Sequence, residues 1–146
     1  MNKYPYINKT PITESEWLAA LTALARYLRT PEGCPWDRKQ TALSFARFLR
    51  EEAQEYEEAC VSGDSEHMAE EWGDVLFTLL ASIAAAEESG TFTLETALRG
   101  IHEKMIRRHE HVFGENKATT PEEASAMWDR VKAQERCADQ RRNPEI

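Results

Sequence analysis

Proline is missing from the middle of this chain: all six prolines, at positions 5, 11, 31, 35, 121 and 144, fall outside residues 36–120. No alternating polar–apolar pattern competes there, and β-branched runs are few, so a sheet-based fold is disfavoured and helices are favoured. Cysteine is scarce too. Cys34, Cys60 and Cys137 are scattered and odd in number, with no Cys-x-x-Cys pair. That excludes a zinc knuckle and a disulfide framework and fits a reducing cytoplasm. Long apolar runs are absent: the longest, Val75 to Ala86, has 12 residues and includes Thr78 and Ser82. A membrane span needs about 20. The opening Met-Asn-Lys-Tyr-Pro-Tyr lacks the apolar core of a signal peptide. The expectation is a soluble, cytoplasmic protein with no membrane partner.

What is present suits one compact domain. The chain has 146 residues, is 41% apolar and 30% charged, and carries a formal net charge of −8. A chain of this size buries a core without disulfides or a structural metal. The negative sign argues against a nucleic-acid polymer as partner and suits a protein that gathers cations. Helix starts recur: Thr13 with Glu16 and Asp37 with Gln40 read as capping boxes, and Thr120-Pro121-Glu122-Glu123 combines a cap with a first-turn proline. Stops lie at Gly63, Gly90 and Gly114. These signals predict five helices, near 13–29, 38–61, 65–89, 93–110 and 121–138, in an all-α helical bundle. Residues 1–12 read as an arm, 13–138 as a single helical domain and 139–146 as a tail, while Thr30 to Trp36 forms a short loop.

The acidity is local. Residues 51–74 hold ten acidic side chains and no Lys or Arg, which leaves 16 acids and 18 bases elsewhere. A solvated helix face accounts for Glu57, Glu58, Glu66 and Glu70. It does not account for Glu52, which falls inside the apolar stripe of Phe45, Phe48, Leu49, Tyr56, Ala59 and Cys60, with Glu55 at its edge. The next helix carries Met68, Trp72, Val75, Leu76, Leu79 and Ile83, flanked by Glu71 and Asp74. In an antiparallel hairpin about Ser62-Gly63-Asp64, Glu55 and Glu71 lie 8 residues either side of Gly63, and Glu52 and Asp74 lie 11. Both pairs are level, and a three-residue step keeps them on one face. Four like charges so close need a counter-charge. All-oxygen ligation favours Mg²⁺, or Mn²⁺ in its place, over zinc or copper. Gly73 sits between Glu71 and Asp74 in mid-helix, where glycine costs roughly 1 kcal/mol, and serves either close helix packing or room for a ligand.

Downstream, Lys104, Arg107 and Arg108 stand three or four residues apart. Cations at a helix C-terminus are favourable in themselves, but with a carboxylate–metal site they suit a polyphosphate. His109 and His111 alternate in the manner of metal ligands, but no third soft ligand is evident and a capping role is favoured. Trp17 and Trp72 lie in apolar stripes and read as core. Trp36 in a loop and Trp128 on the last helix suit either burial or stacking on a nucleobase.

These residues also carry a family resemblance. Glu51-Glu52-Ala53-Gln54-Glu55, followed by Glu71-Trp72-Gly73-Asp74, is similar to the EExxE…ExxD signature of MazG-type nucleoside triphosphate pyrophosphohydrolases. Gly33-Cys34-Pro35-Trp36-Asp37 with Gln40-Thr41, the block Glu103 to Gly114, and Met127-Trp128-Asp129-Arg130-Val131-Lys132 resemble further blocks of the family, over roughly residues 15–136. The match is best to the first half of tandem MazG proteins. The resemblance implies an all-α fold acting as a homodimer or higher oligomer, and Mg²⁺-dependent hydrolysis of an NTP to NMP and pyrophosphate. By motif position, Glu52, Glu55, Glu71 and Asp74 would be metal ligands. Lys104, Arg107 and Arg108 would contact phosphates, and Trp128 would lie at the nucleotide pocket. Ser44, Phe45 and Phe48 lie where the family varies.

The expected reaction is attack of a metal-activated water on the α-phosphorus, with pyrophosphate leaving. Glu55 and Glu51 are both candidates for the general base. One rival is a nucleotide-binding regulatory domain with weak or no catalysis. Another is a di-iron carboxylate bundle, which uses Glu-x-x-His pairs; no Glu lies three residues before any of the four histidines.

Overall fold

The structure, a computed structural model, describes residues 4–142, with side-chain surroundings through Ala138. The described residues form seven helices and no strand. They are α1 (Glu14–Leu28), α2 (Pro35–Lys39), α3 (Ala42–Ser62), α4 (Ser65–Glu88), α5 (Leu94–Arg108), α6 (Glu110–Phe113) and α7 (Pro121–Arg142). The fold is all-α, as expected. The five long helices match the five anticipated, and α2 and α6 are additional. Helix α7 continues to Arg142, so part of the expected tail is helical. The rest of that tail, 143–146, and the first three residues of the expected arm lie outside the described residues.

Two compact units divide the chain at Leu94 and Glu95. In the first, α1 begins under the anticipated capping box: Thr13 Oγ1 accepts from the Glu16 N–H, and the Glu16 carboxylate accepts from the Ile12 and Thr13 N–H groups. The Asp37–Gln40 box does not form. Gln40 is extended, its side chain donates to the Trp36 carbonyl, and α3 starts later under a Thr41–Ser44 box. At the break the Asp37 carbonyl accepts from the Gln40 N–H, and both it and the Gln40 carbonyl accept from Arg29 Nη1, at 2.6 and 3.1 Å. Gly33 makes the tight return before α2 feasible: a Cβ there would come within 2.4 Å of the Tyr27 and Leu28 carbonyl oxygens.

Helices α3 and α4 form the expected antiparallel hairpin. Gly63 closes α3 in the left-handed region (φ 74°), and the Asp64 carboxylate caps α4 by accepting from the Glu66 and His67 N–H groups. Phe45 and Phe48 of α3 pack on Ala81 and Ala85 of α4. Helix α1 lies along α4 in the same direction, with Leu21 and Ala25 meeting Leu76, Leu80 and Ala84. Arg26 continues that register with a two-pronged pair to Glu87, both contacts at 2.8 Å, and Arg29 pairs with Glu88.

Two tryptophans depart from expectation. Trp17 and Trp72 are half exposed, at 50% and 54%, rather than core. The α1–α4 contact is tightest where small residues meet, at Ala25 and Ala84. Two to three turns earlier the indoles instead line an open groove of about 520 Å³ with Leu18, Leu21 and Leu76.

In the second unit, the Glu135 carboxylate of α7 accepts from Arg107 and Arg108 of α5, and Glu110 accepts from Arg130. Thr120 caps α7 by accepting from the Glu123 N–H, while the Glu123 carboxylate reaches back chiefly to the Thr119 N–H and hydroxyl. His109 Nδ1 donates to the Met105 carbonyl at 2.7 Å, which bears out its capping role at the end of α5.

Candidate functional site

The hairpin gathers carboxylates. Glu52, Glu55 and Glu71 each offer an oxygen within 4.8 Å of the others. A single Mg²⁺ holds oxygens at about 2.1 Å, so its ligands stand roughly 3–4 Å apart; the group is of that scale. Glu52 is half-buried and Glu55 exposed, as the position of the apolar stripe anticipates. Burial raises the Glu52 pKa above the usual carboxylate range, and the charges of Asp74, Glu55, Glu71 and Glu51 raise it further, in that order. Asp74 is exposed and lies outside the group of three, yet its charge is the strongest single neighbour acting on Glu52. This agrees with the level pairing of Glu52 and Asp74 across the hairpin. Glu51 is exposed and acts on Glu52 most weakly of the four.

Glu71 is the buried member. Its Oε1 accepts from His67 Nε2 at 3.0 Å, while its Oε2 is buried with no hydrogen-bond partner. An unpaired carboxylate oxygen is costly to bury, and a cation is the group that relieves it. The donor set is all oxygen, so these residues fit Mg²⁺ or Mn²⁺. Beside them, a Cβ added at Gly73 meets nothing within 4 Å. Helix packing therefore does not require this glycine, and the space over Gly73 itself is open. His67 escaped the sequence reading, which looked for a glutamate three residues before each histidine. The signal lay in the other direction, in the four-residue step from His67 to Glu71.

Trp36 is 52% exposed and packs its ring 5.5 Å from Phe48 and 6.2 Å from Phe45. Phe48 is one helical turn before Glu52, so this aromatic surface borders the carboxylates along α3.

The basic residues belong to the second unit. Lys104 is half-buried on α5. Arg107 Nε lies 3.1 Å and Arg108 Nη2 2.8 Å from the Glu135 carboxylate, which the two guanidiniums, Arg108 foremost, hold below its usual pKa. Arg108 also stands 5.5 Å from the Trp128 ring centroid, and His109 packs edge-on to the same indole. Trp128 is thus half-buried among cationic and imidazole groups. Glu135 was not anticipated; it lies 27 residues from Arg108, beyond any helical spacing rule.

Residues 40–113 match the MazG nucleotide pyrophosphohydrolase domain. The nucleoside triphosphate pyrophosphohydrolase/pyrophosphatase MazG of Thermotoga maritima is 43% identical over 116 residues, covering 80% of this chain and 44% of that protein. YabN of Bacillus subtilis is 38% identical over 140 residues, covering 93% of this chain and 29% of YabN. The chain therefore spans less than half the length of these relatives. A crystal structure of a mazG-related protein from Thermotoga maritima superposes with a TM-score of 0.66 at 30% identity, covering 81% of this chain and 98% of that one.

Proposed function

Because the chain belongs to the MazG nucleotide pyrophosphohydrolase family, we propose that it hydrolyses nucleoside or deoxynucleoside triphosphates to the monophosphate and pyrophosphate. Mg²⁺ is the proposed cofactor, and Mn²⁺ can replace it. One observation carries the reading: three carboxylates converge within 4.8 Å on the hairpin, and an oxygen of the buried one has no partner. Glu52, Glu55, Glu71 and Asp74 are the residues proposed to hold the cation. Bound there, a divalent cation lowers the pKa of water and offsets phosphate charge.

The chain supplies the rest. Glu55 or Glu51 accepts the proton of the attacking water as its oxygen bonds to the α-phosphorus and the bond to the bridging oxygen breaks. Membership of the carboxylate group supports Glu55; exposure beside Glu52 supports Glu51. Lys104, Arg107 and Arg108 bind the phosphates and stabilise the departing pyrophosphate. Glu135 holds the two guanidiniums in a set direction beforehand. Trp36 and Trp128 contact the nucleotide; the exposed Trp36 ring and its continuity through Phe48 toward Glu52 support the first of these.

The working domain is residues 13–138, acting in the cytoplasm as a homodimer or higher oligomer. The half-exposed Trp17 and Trp72 in one apolar groove support self-association. Among the described residues no helix is long and apolar enough to cross a membrane.

The test is pyrophosphate release from a panel of standard and modified NTPs and dNTPs, with Mg²⁺ and with EDTA. Release of pyrophosphate and monophosphate that EDTA abolishes is expected. Mg²⁺-dependent nucleotide binding without release from any substrate would assign the chain to a regulatory role instead.

A further inference from the structure

We propose that His67 is a positioning residue for the cation centre: its imidazole ties one oxygen of Glu71 and thereby presents the other to Glu52 and Glu55. This inference rests on reading those carboxylates as a divalent-cation site.

His67 is itself well anchored. It is the third residue of α4, and its backbone N–H donates to the Asp64 cap at 3.2 Å, beside the Glu66 N–H at 3.0 Å. One turn later comes Glu71, whose Oε1 lies 3.0 Å from His67 Nε2. An ionised carboxylate only accepts, so Nε2 carries the proton in this contact.

The two partners differ in exposure. The imidazole is 47% accessible, the Glu71 side chain 11%. On a helix surface such a pair is a weak local support. Here it restrains a carboxylate that is nearly enclosed and whose second oxygen is buried without a partner. Glutamate has three rotatable bonds, and Glu55, one turn after Glu52 on α3, is exposed to solvent. Without the imidazole, Glu71 gains rotamers that turn its free oxygen away from the group. His67 is not one of the three residues whose ligand atoms converge, so its part is to orient a ligand. Removing an outer hydrogen bond of this kind typically costs about 10–100-fold in metal affinity.

The experiment is Mn²⁺ titration of the full chain without nucleotide, following free Mn²⁺ by electron paramagnetic resonance. It compares the unaltered protein with His67→Ala, His67→Gln and Glu71→Gln, and reads helicity alongside by far-UV circular dichroism. His67→Ala should weaken Mn²⁺ binding about 10–100-fold with helicity unchanged. His67→Gln, which keeps a donor at similar reach, should recover most of the loss, and Glu71→Gln should bind worst. Binding by His67→Ala equal to the unaltered protein, while Glu71→Gln loses it, overturns the positioning role and leaves the cation centre standing. Equal weakening in His67→Ala and His67→Gln also overturns it, because the hydrogen bond is then not what matters. No Mn²⁺ binding by the unaltered protein removes the cation centre itself, and this role with it.

Discussion

Replacing Glu52 by glutamine should stabilise the metal-free protein and also remove most of its response to divalent cations. The carboxylate oxygens of Glu52, Glu55 and Glu71 lie within 4.8 Å of one another, where two unit charges repel by about 1 kcal/mol in water and about 3.5 kcal/mol at an effective dielectric of 20. Glu52→Gln removes two such repulsions and the repulsion from Asp74, the strongest of its charged neighbours. Solvent screening at the exposed Glu55 pulls the gain to the low end, about 1–2 kcal/mol in total. For a chain of this size that is roughly 3–8 °C in Tm. The assay is thermal unfolding of both proteins in EDTA and in Mn²⁺. The unaltered protein should gain about 2.7 kcal/mol at a hundredfold excess over Kd, and the variant far less. The pH dependence has a definite sign. Burial and its acidic neighbours raise the Glu52 pKa, so the folded chain takes up that proton before the unfolded chain does. The destabilisation is therefore full at neutral pH and disappears as pH falls through the raised pKa toward the usual carboxylate range. Glu16, Glu87, Glu123 and Glu135, whose pKa values are lowered, contribute stability that is lost on acidification, but they do so equally in both proteins. The stability gap between the two proteins should thus close as the solution is acidified. A variant less stable than its parent in EDTA, or a gap independent of pH, would refute the idea that repulsion dominates this cluster.

Glu55→Gln should abolish pyrophosphate release while leaving far-UV circular dichroism intact; near-normal turnover would remove Glu55 from both its proposed roles. Gly73→Ala should raise stability by up to about 1 kcal/mol, since alanine favours the helix interior and nothing lies within 4 Å of the added methyl. The same variant should lose pyrophosphate release, and undiminished turnover would show that the open space over Gly73 takes no ligand. Phe45→Ala should cost about 3–5 kcal/mol in urea unfolding, because Phe45 is buried against Ala81 and Ala85 at the α3–α4 contact; a loss under 1 kcal/mol would show that the seam collapses around the cavity.

Local chemistry made much of the fold legible. Thr13 with Glu16, Gly63 and Thr120 mark helix ends where side chains or a left-handed turn satisfy the terminal backbone groups, and the structure uses all three. The convergence of Glu52, Glu55 and Glu71 was legible as well, because a short turn and the 3.6-residue repeat set the register across the hairpin, whereas Asp74, expected with them, lies outside the group. What escaped depended on distant partners. Arg29, which captures the two carbonyls at the break before α3, has no spacing signature, and neither does Glu135. Trp17 and Trp72 were misread because periodicity reports an apolar face without saying what covers it.

The departures from ordinary helix rules converge on one stretch of the molecule. Between residues 52 and 74 a glutamate sits in an apolar stripe, another is buried with an unpaired oxygen, a glycine occupies mid-helix with open space around it, and a tryptophan is half exposed. Each is unfavourable for a chain concerned only with folding. Packing on both sides holds the stretch in place: Ala59 is fully buried on the turn side, and Phe45 and Phe48 meet Ala81 and Ala85 at the open end. The carboxylates cannot relieve their repulsion by spreading the helices without breaking that packing. Local conflicts confined to one patch, and clamped by a conventional seam on either side, are the pattern expected where a fold has given up stability for a ligand.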